Sequence, residues 1–278
     1  MGYGLGVKEN TKTHQVTDDK GVVKKVQSIV TPGGAFLDGE RIVKATRKCV
    51  NFFSKSPQRK ERLELQRAAM DLPKITLANF PETRVGYVVT TFQSLMANHS
   101  LLTVLLVVEK DDFGKVWGKL SDEDFKSIQE IEAITQILFL YSVNDSQQSN
   151  AFNNSLLPWY HKVMKMALYQ PSYRVMKLGK QAPSTKLCTW PREYRMVEDF
   201  TPNGLHCLNR LREQLILRLP ALSPQQCLYV LLDPATKRFG EILLDEDGLF
   251  HKTRALLKEK HRDAWRAFHA PAEDKIGD

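Results

Sequence analysis

The sequence predicts a mainly α-helical protein. Apolar residues recur at three- and four-residue intervals over most of its length, and Ser-Pro, Thr-Pro and Ser-Asp-Glu-Asp start signals precede several of those runs. At 278 residues, 42% hydrophobic and 26% charged, the chain can bury a core as one large domain or two ordinary ones.

The order of elements follows from these signals. Residues 1–39 are rich in Gly, Lys, Thr and Asp without a helical period, which predicts a loosely ordered leader. Within it Val22, Val23, Val26, Ile29 and Val30 are apolar enough to form a short strand or helix. From 40 onward a helical domain is expected to about 270, followed by a tail over 271–278. Ile42, Val43, Cys49, Val50, Phe52 and Phe53 set one helix, and Ser56-Pro57 supplies an N-cap and first-turn proline for the next. Val88, Phe92, Leu95, Met96, Leu102, Leu105 and Leu106 lie on one stripe and predict a single long helix with a buried side. His99 sits beside that stripe with no partner ligand at i+4, the pattern of a packed histidine.

Ser121-Asp122-Glu123-Asp124 reads as a capping-box start for a helix carrying Phe125, Ile128, Ile131, Ile134, Ile137 and Leu138. The Asn-, Ser- and Gln-rich stretch 142–155 is the natural internal linker. Trp159, Val163, Met166, Ala167 and Tyr169 then give a helix stopped near Pro171. Thr201-Pro202 and Ser223-Pro224 begin two more, and Asp233-Pro234 breaks the second. The last helix, over 249–268, sets Leu249, Phe250, Leu256, Leu257, Trp265 and Phe268 against a ring of basic and histidine positions.

Charge narrows the class of partner. Forty Lys and Arg against 32 Asp and Glu give a formal net charge of +8, which favours polyanions. Between 40 and 67 nine basic residues (Arg41, Lys44, Arg47, Lys48, Lys55, Arg59, Lys60, Arg62, Arg67) face three Glu. Such a run serves equally as a solvated helix face or a phosphate-tracking surface. Over 158–197 eight Lys and Arg, opposed by Glu193 alone, are interleaved with Trp159, Tyr160, Tyr169, Tyr173, Trp190 and Tyr194. That mixture suits backbone tracking with base stacking, but core anchoring is the commoner use of such aromatics.

Other classes find little support. Cys49, Cys188, Cys207 and Cys227 form no CxxC pair, so neither a zinc knuckle nor a disulfide scaffold is spelled out, and a reducing compartment fits best. The most apolar stretch, 101–108, is too short to cross a bilayer. No P-loop, GxSxG, HExxH or GxGxxG pattern occurs, which points away from a small-molecule substrate or cofactor. The acidic clusters Asp18-Asp19, Asp111-Asp112 and Asp245-Glu246-Asp247 lie in turn-like contexts, where surface turns are the expected role rather than metal binding.

Three segments resemble one family. Arg47-Lys48-Cys49-Val50-Asn51-Phe52-Phe53-Ser54-Lys55-Ser56-Pro57-Gln58-Arg59 is similar to the region after the second catalytic aspartate of hAT-superfamily DNA transposases. Pro81-Glu82-Thr83-Arg84-Val85, leading into Val89-Thr90-Thr91-Phe92-Gln93-Ser94-Leu95, resembles their Glu-Thr-Arg motif and its helix. Val230-Leu231-Leu232-Asp233-Pro234-Ala235-Thr236-Lys237 resembles their Leu-Leu-Asp-Pro signature. The three span about residues 40–240 in the family's order.

The resemblance implies the helical insertion region of an interrupted RNase-H-like fold, with a few residual N-terminal strands, and a nuclear, transposon-derived DNA-binding protein. The family's Asp-Asp-Glu metal triad has no identifiable counterpart here: Asp18 or Asp19 lies too near Phe52, and the chain ends before the final Glu. An inactive protein is therefore implied, holding the DNA backbone without sequence preference. Arg84 is carried over from the motif, and Arg47, Lys48, Lys55, Arg59 and Lys60 are the accompanying contacts. The alternative is a degenerate protein-interaction module or transposase remnant without DNA binding, whose exposed apolar stripes would drive self-association.

Overall fold

The computed structural model describes residues 4–17, 22–77, 86–108, 112–146, 157–179, 190–219 and 221–269. It is mainly helical, as the periodicity predicts, and divides into two compact units: Met1–Gln147 with Ala167–Arg218, and Gln148–Met166 with Leu219–Asp278.

The first unit is organised around α6 (Asp122–Ser146). Its start is the expected capping box: Ser121 Oγ accepts from Asp124 N at 3.1 Å, and Asp124 Oδ2 accepts from Ser121 N at 2.9 Å. Asp122, Glu123 and Asp124 also place negative charge at the positive end of the helix dipole. Every residue from 127 to 135 is buried, on all faces of the helix rather than along one stripe. Around it lie α1 (Leu37–Ser54), α3 (Tyr87–Ala97), α8 (Pro202–Arg218) and the antiparallel pair β3 (Ser172–Met176) and β4 (Arg192–Met196).

A helix buried all round must satisfy its polar side chains from its neighbours. Glu132, fully buried, takes both guanidinium nitrogens of Arg192 on β4 at 2.8 and 2.9 Å and Gln93 of α3 at 2.6 Å. Glu130 takes Arg195 at 2.9 Å and the Thr201 hydroxyl and amide at 2.6 and 3.0 Å. Gln129 donates to the Met176 carbonyl at 2.6 Å. Gly204 is obligatory beside this network, because a Cβ there would come within 2.2 Å of Glu130 Oε2.

The expected long helix over 88–106 is instead two, α3 and α4 (His99–Val108), bent by 64°. The break is Asn98. Its amide donates to the Ser94 carbonyl at 2.7 Å and the Ile75 carbonyl at 3.2 Å, while its oxygen accepts from Arg67 at 3.1 Å. Arg67, on α2 (Pro57–Ala69), is itself buried and donates to the Ile75 carbonyl at 2.7 Å. Its count among the surface cations is thereby corrected: it is an internal tie. The Ser56 N-cap of α2 is as predicted, with Oγ accepting from Arg59 N at 3.4 Å. The short α5 (Asp112–Trp117) packs Phe113 and Trp117 against Phe53, Phe125 and His99.

Strands do occur near the N-terminus, as expected, but the RNase-H-like sheet needs correction. β1 (Thr11–Thr17) and β2 (Val23–Ile29) pair antiparallel inside the expected leader, and β3–β4 is a second, separate pair. Two isolated two-stranded antiparallel pairs are not an RNase-H-like sheet among the described residues. β1 and β2 are open to solvent on both faces, so they cannot form the central layer of such a fold. The segment that carries them is nonetheless fastened to the core: Leu5 and Phe36 are buried, and Glu9 pairs with the fully buried Arg210 of α8 at 2.7 Å.

The second unit holds α7 (Leu157–Leu168) up to Met166, α9 (Pro224–Leu232), α10 (Gly240–Leu243) and α11 (Leu249–His269). A small core of Cys227, Val230, Leu243 and Leu244 closes under Leu222, Leu249 and Phe250. Ser223 and Gln226 form the capping box that opens α9, and Asp233 Oδ1 accepts from Ala235 N at 2.8 Å where it ends.

Two outcomes test this packing. Asn98→Ala leaves the Ile75 carbonyl and Arg67 short of a buried partner, so it costs about 1–3 kcal/mol in urea denaturation. Burial works to raise the Asp124 carboxyl, but hydrogen bonds from Arg41 and Ser121 outweigh it and hold the group below the ordinary aspartate range. A carboxyl lowered by folding stabilises above its unfolded value and gives that up as pH falls through the folded one. The stability gap between the protein and Asp124→Asn, measured by urea denaturation, is therefore present at neutral pH and closes as pH drops below about 3.9.

Candidate nucleic-acid interface

The basic run over 40–67 folds into α1, α2 and the corner between them, and burial sorts its cations by role. On α1 the apolar positions Ile42, Val43, Cys49, Val50 and Phe53 turn inward, which leaves Arg41, Lys44 and Lys48 as an i, i+3, i+7 stripe on the outer side. With Lys119 from the turn before α6 they line an open groove that includes Leu37, Glu40 and Ala45.

Within that groove two cations are already matched. Arg41 holds Asp124 at 2.6 Å and Asp38 at 3.2 Å, and Lys44 holds Glu40 at 2.6 Å. Lys48 and Lys119 are exposed and have no ion pair among the described residues. Lys119 carries no local sequence signal, because it joins the groove from 71 residues beyond Lys48 in the chain through the packing of α5 on α1.

The other expected contacts divide in the same way. Lys55 at the α1 C-cap and Lys60 on the first turns of α2 are exposed, again without an ion pair among the described residues. Arg59 lies over the Phe52 ring at 3.8 Å, a stacked position that half-buries its stem. Arg47 is half-buried and its charge faces the Tyr87 phenol, whose pKa burial raises against that field. Arg84, with the rest of 78–85, lies outside the described residues. Lys48, Lys55 and Lys60 are thus each exposed, on α1, at its C-cap and on the first turn of α2, whereas Arg59 and Arg47 are half-buried.

The second basic stretch loses most of its apparent surplus. Arg192 and Arg195 are claimed by Glu132 and Glu130, and Lys177 by Glu193 at 3.3 Å. In the other unit Lys162 and Lys165 pair with Asp245 and Glu246, each at 2.7 Å. Tyr173 and Trp190 are buried anchors, and Lys180 and Lys186 lie outside the described residues. Trp159, Tyr169 and Tyr194 stay exposed, with Arg174 near the Tyr194 ring, so it is mainly the described cations of this stretch, not its aromatics, that are engaged internally.

No group of three His, Cys, Asp or Glu side chains suited to a metal ion occurs among the described residues. Asp18, Asp19 and Asp111 lie outside them, and the acidic turn at 245–247 is occupied by lysines. Burial pushes the thiols of Cys49 and Cys207 up to about 12 and that of Cys227 up to about 11, which leaves them protonated and unreactive; Cys188 lies outside the described residues. Burial lowers the His99 pKa against the pull of Asp122, so its ring stays neutral between Trp117 and Phe125. No single helix among the described residues is long and apolar enough to cross a membrane. Compared with protein-family models, curated proteins and solved structures, the chain matches none.

Proposed function

We propose that this chain is a nuclear, transposon-derived, non-catalytic protein that holds the DNA backbone without sequence preference through the corner of α1 and α2. The observation that carries the reading is the exposure of Lys48, Lys55 and Lys60 along α1, its C-cap and the start of α2, with no ion pair among the described residues. Most other cations of the basic stretches are matched internally, so these lysines hold what remains for an external polyanion. The resemblance to the helical insertion region of hAT transposases supports the same reading, since it runs through Arg47 to Arg59 and requires helices rather than a sheet there.

A second reading is a degenerate protein-interaction module. It is favoured by Val107 and Val108 at the end of α4, 77% and 69% exposed, which offer an apolar patch for self-association. Gel filtration separates the two, because this reading predicts oligomers that retain no DNA.

The triple variant Lys48→Glu, Lys55→Glu, Lys60→Glu tests the first reading. All three sites are exposed, so folding is expected to change by no more than about 0.5 kcal/mol per site. Affinity for a random-sequence 30-base-pair duplex should fall, and its log–log dependence on salt should become shallower by about 0.9 for each phosphate the variant no longer neutralises. An unchanged salt slope in fluorescence anisotropy would reject the interface.

A further inference from the structure

Helix α11 presents a second cationic surface of different design. Its first turns pack on α9, where Thr253 is buried, but every residue from 258 to 269 is exposed. Arg254, Lys258, Arg262 and Arg266 follow one another at i+4, each step rising about 6 Å and turning about 40°. All four are exposed. None has an ion pair among the described residues, although Glu259 and Asp263 lie on the same helix. Like charges at i+4 repel one another, so this register weakens the isolated helix and is relieved by an anion lying along it.

On the flank of the stripe stands Trp265, 58% exposed, its ring resting on His269 at a centroid distance of 4.3 Å. Phe268 is 83% exposed. A bilayer surface requires a broad apolar face opposite the cations. Here the free half of the helix offers only Phe268, Ala264, Ala267 and Trp265, and the indole stands at the edge of that strip, about 60° around the helix from both Phe268 and Arg262. An exposed indole beside a run of cations suits a single nucleic-acid strand: cations follow phosphates and the ring stacks on a base.

We propose that the exposed half of α11 binds single-stranded nucleic acid, with Arg254, Lys258, Arg262 and Arg266 meeting successive phosphates and Trp265 stacking on a base. The site goes beyond the duplex-backbone reading, since it lies in the other unit and takes a different form of the polymer. It explains why the most polar helix of this unit keeps an exposed tryptophan.

The test is anisotropy of a fluorescein-labelled dT20 oligonucleotide with the full chain. Trp265→Ala should weaken binding by about 5- to 150-fold, and Trp265→Phe should recover most of the loss. Lys258→Glu with Arg262→Glu should flatten the salt dependence by about 0.7 for each phosphate left without its cation. The fold-loss caused by Trp265→Ala should be the same in the parent and in the Lys48→Glu, Lys55→Glu, Lys60→Glu background, so failure of the α1–α2 interface and failure of this site are told apart. Absence of dT20 binding, or binding indifferent to Trp265→Ala, overturns the proposal. So does retention of the chain on phosphatidylcholine–phosphatidylserine vesicles through Trp265 and Phe268 with no loss of oligonucleotide affinity in the same variants.

Discussion

Nine consecutive buried residues in α6, two of them carboxylates, constrain the first unit more than any other feature. A helix enclosed on all sides cannot direct its charges to water. Glu130 and Glu132 must therefore be met by cations brought from elsewhere, and an unpaired buried carboxylate would cost far more than a missing neutral hydrogen bond. β4 answers that demand. Its arginines at 192 and 195 reach both carboxylates, and the pairing of β4 with β3 fixes the strand on the helix. Thr201 and Gly204, at the start of α8, complete the same cluster.

The constraint also decides which charges are available for function. A count of lysines and arginines treats every cation as a candidate for phosphate, whereas the fold takes Arg41, Arg67, Arg192, Arg195 and Arg210 for internal carboxylates or carbonyls. What is left outside is mainly lysine: Lys48, Lys55, Lys60 and Lys119 on the first unit. On α11, by contrast, three arginines remain in the open beside three lysines. Arginine suits buried pairing because its planar fork meets a carboxylate with two hydrogen bonds, while lysine serves as a solvated point charge.

Much of the helical architecture was legible because its signals are local. Ser56-Pro57, the Ser121 to Asp124 box and Ser223-Pro224 each act within four residues, and all three open helices where expected. The break at Asn98 was not legible, because it depends on Arg67 and the Ile75 carbonyl, which reach it only through tertiary packing. The β3–β4 pair was hidden for the same reason: Arg192-Glu193-Tyr194-Arg195-Met196 is too polar to signal a strand until the buried glutamates opposite are known. At the candidate interface the exposure of Lys48, Lys55 and Lys60 follows from their place off the apolar stripe, whereas the inward turn of Arg47 and the arrival of Lys119 follow from helix packing alone.

Glu132 and Arg192 form a buried, mutually dependent pair that holds β4 on α6. A double-mutant cycle on Glu132→Ala and Arg192→Ala, read by urea denaturation, tests it most directly. Strong coupling is predicted, with each single change costing about 3–5 kcal/mol and the double change well under the sum of the two. Additive or negligible effects would contradict it, and would return Arg192 to the pool of cations free to meet a polyanion.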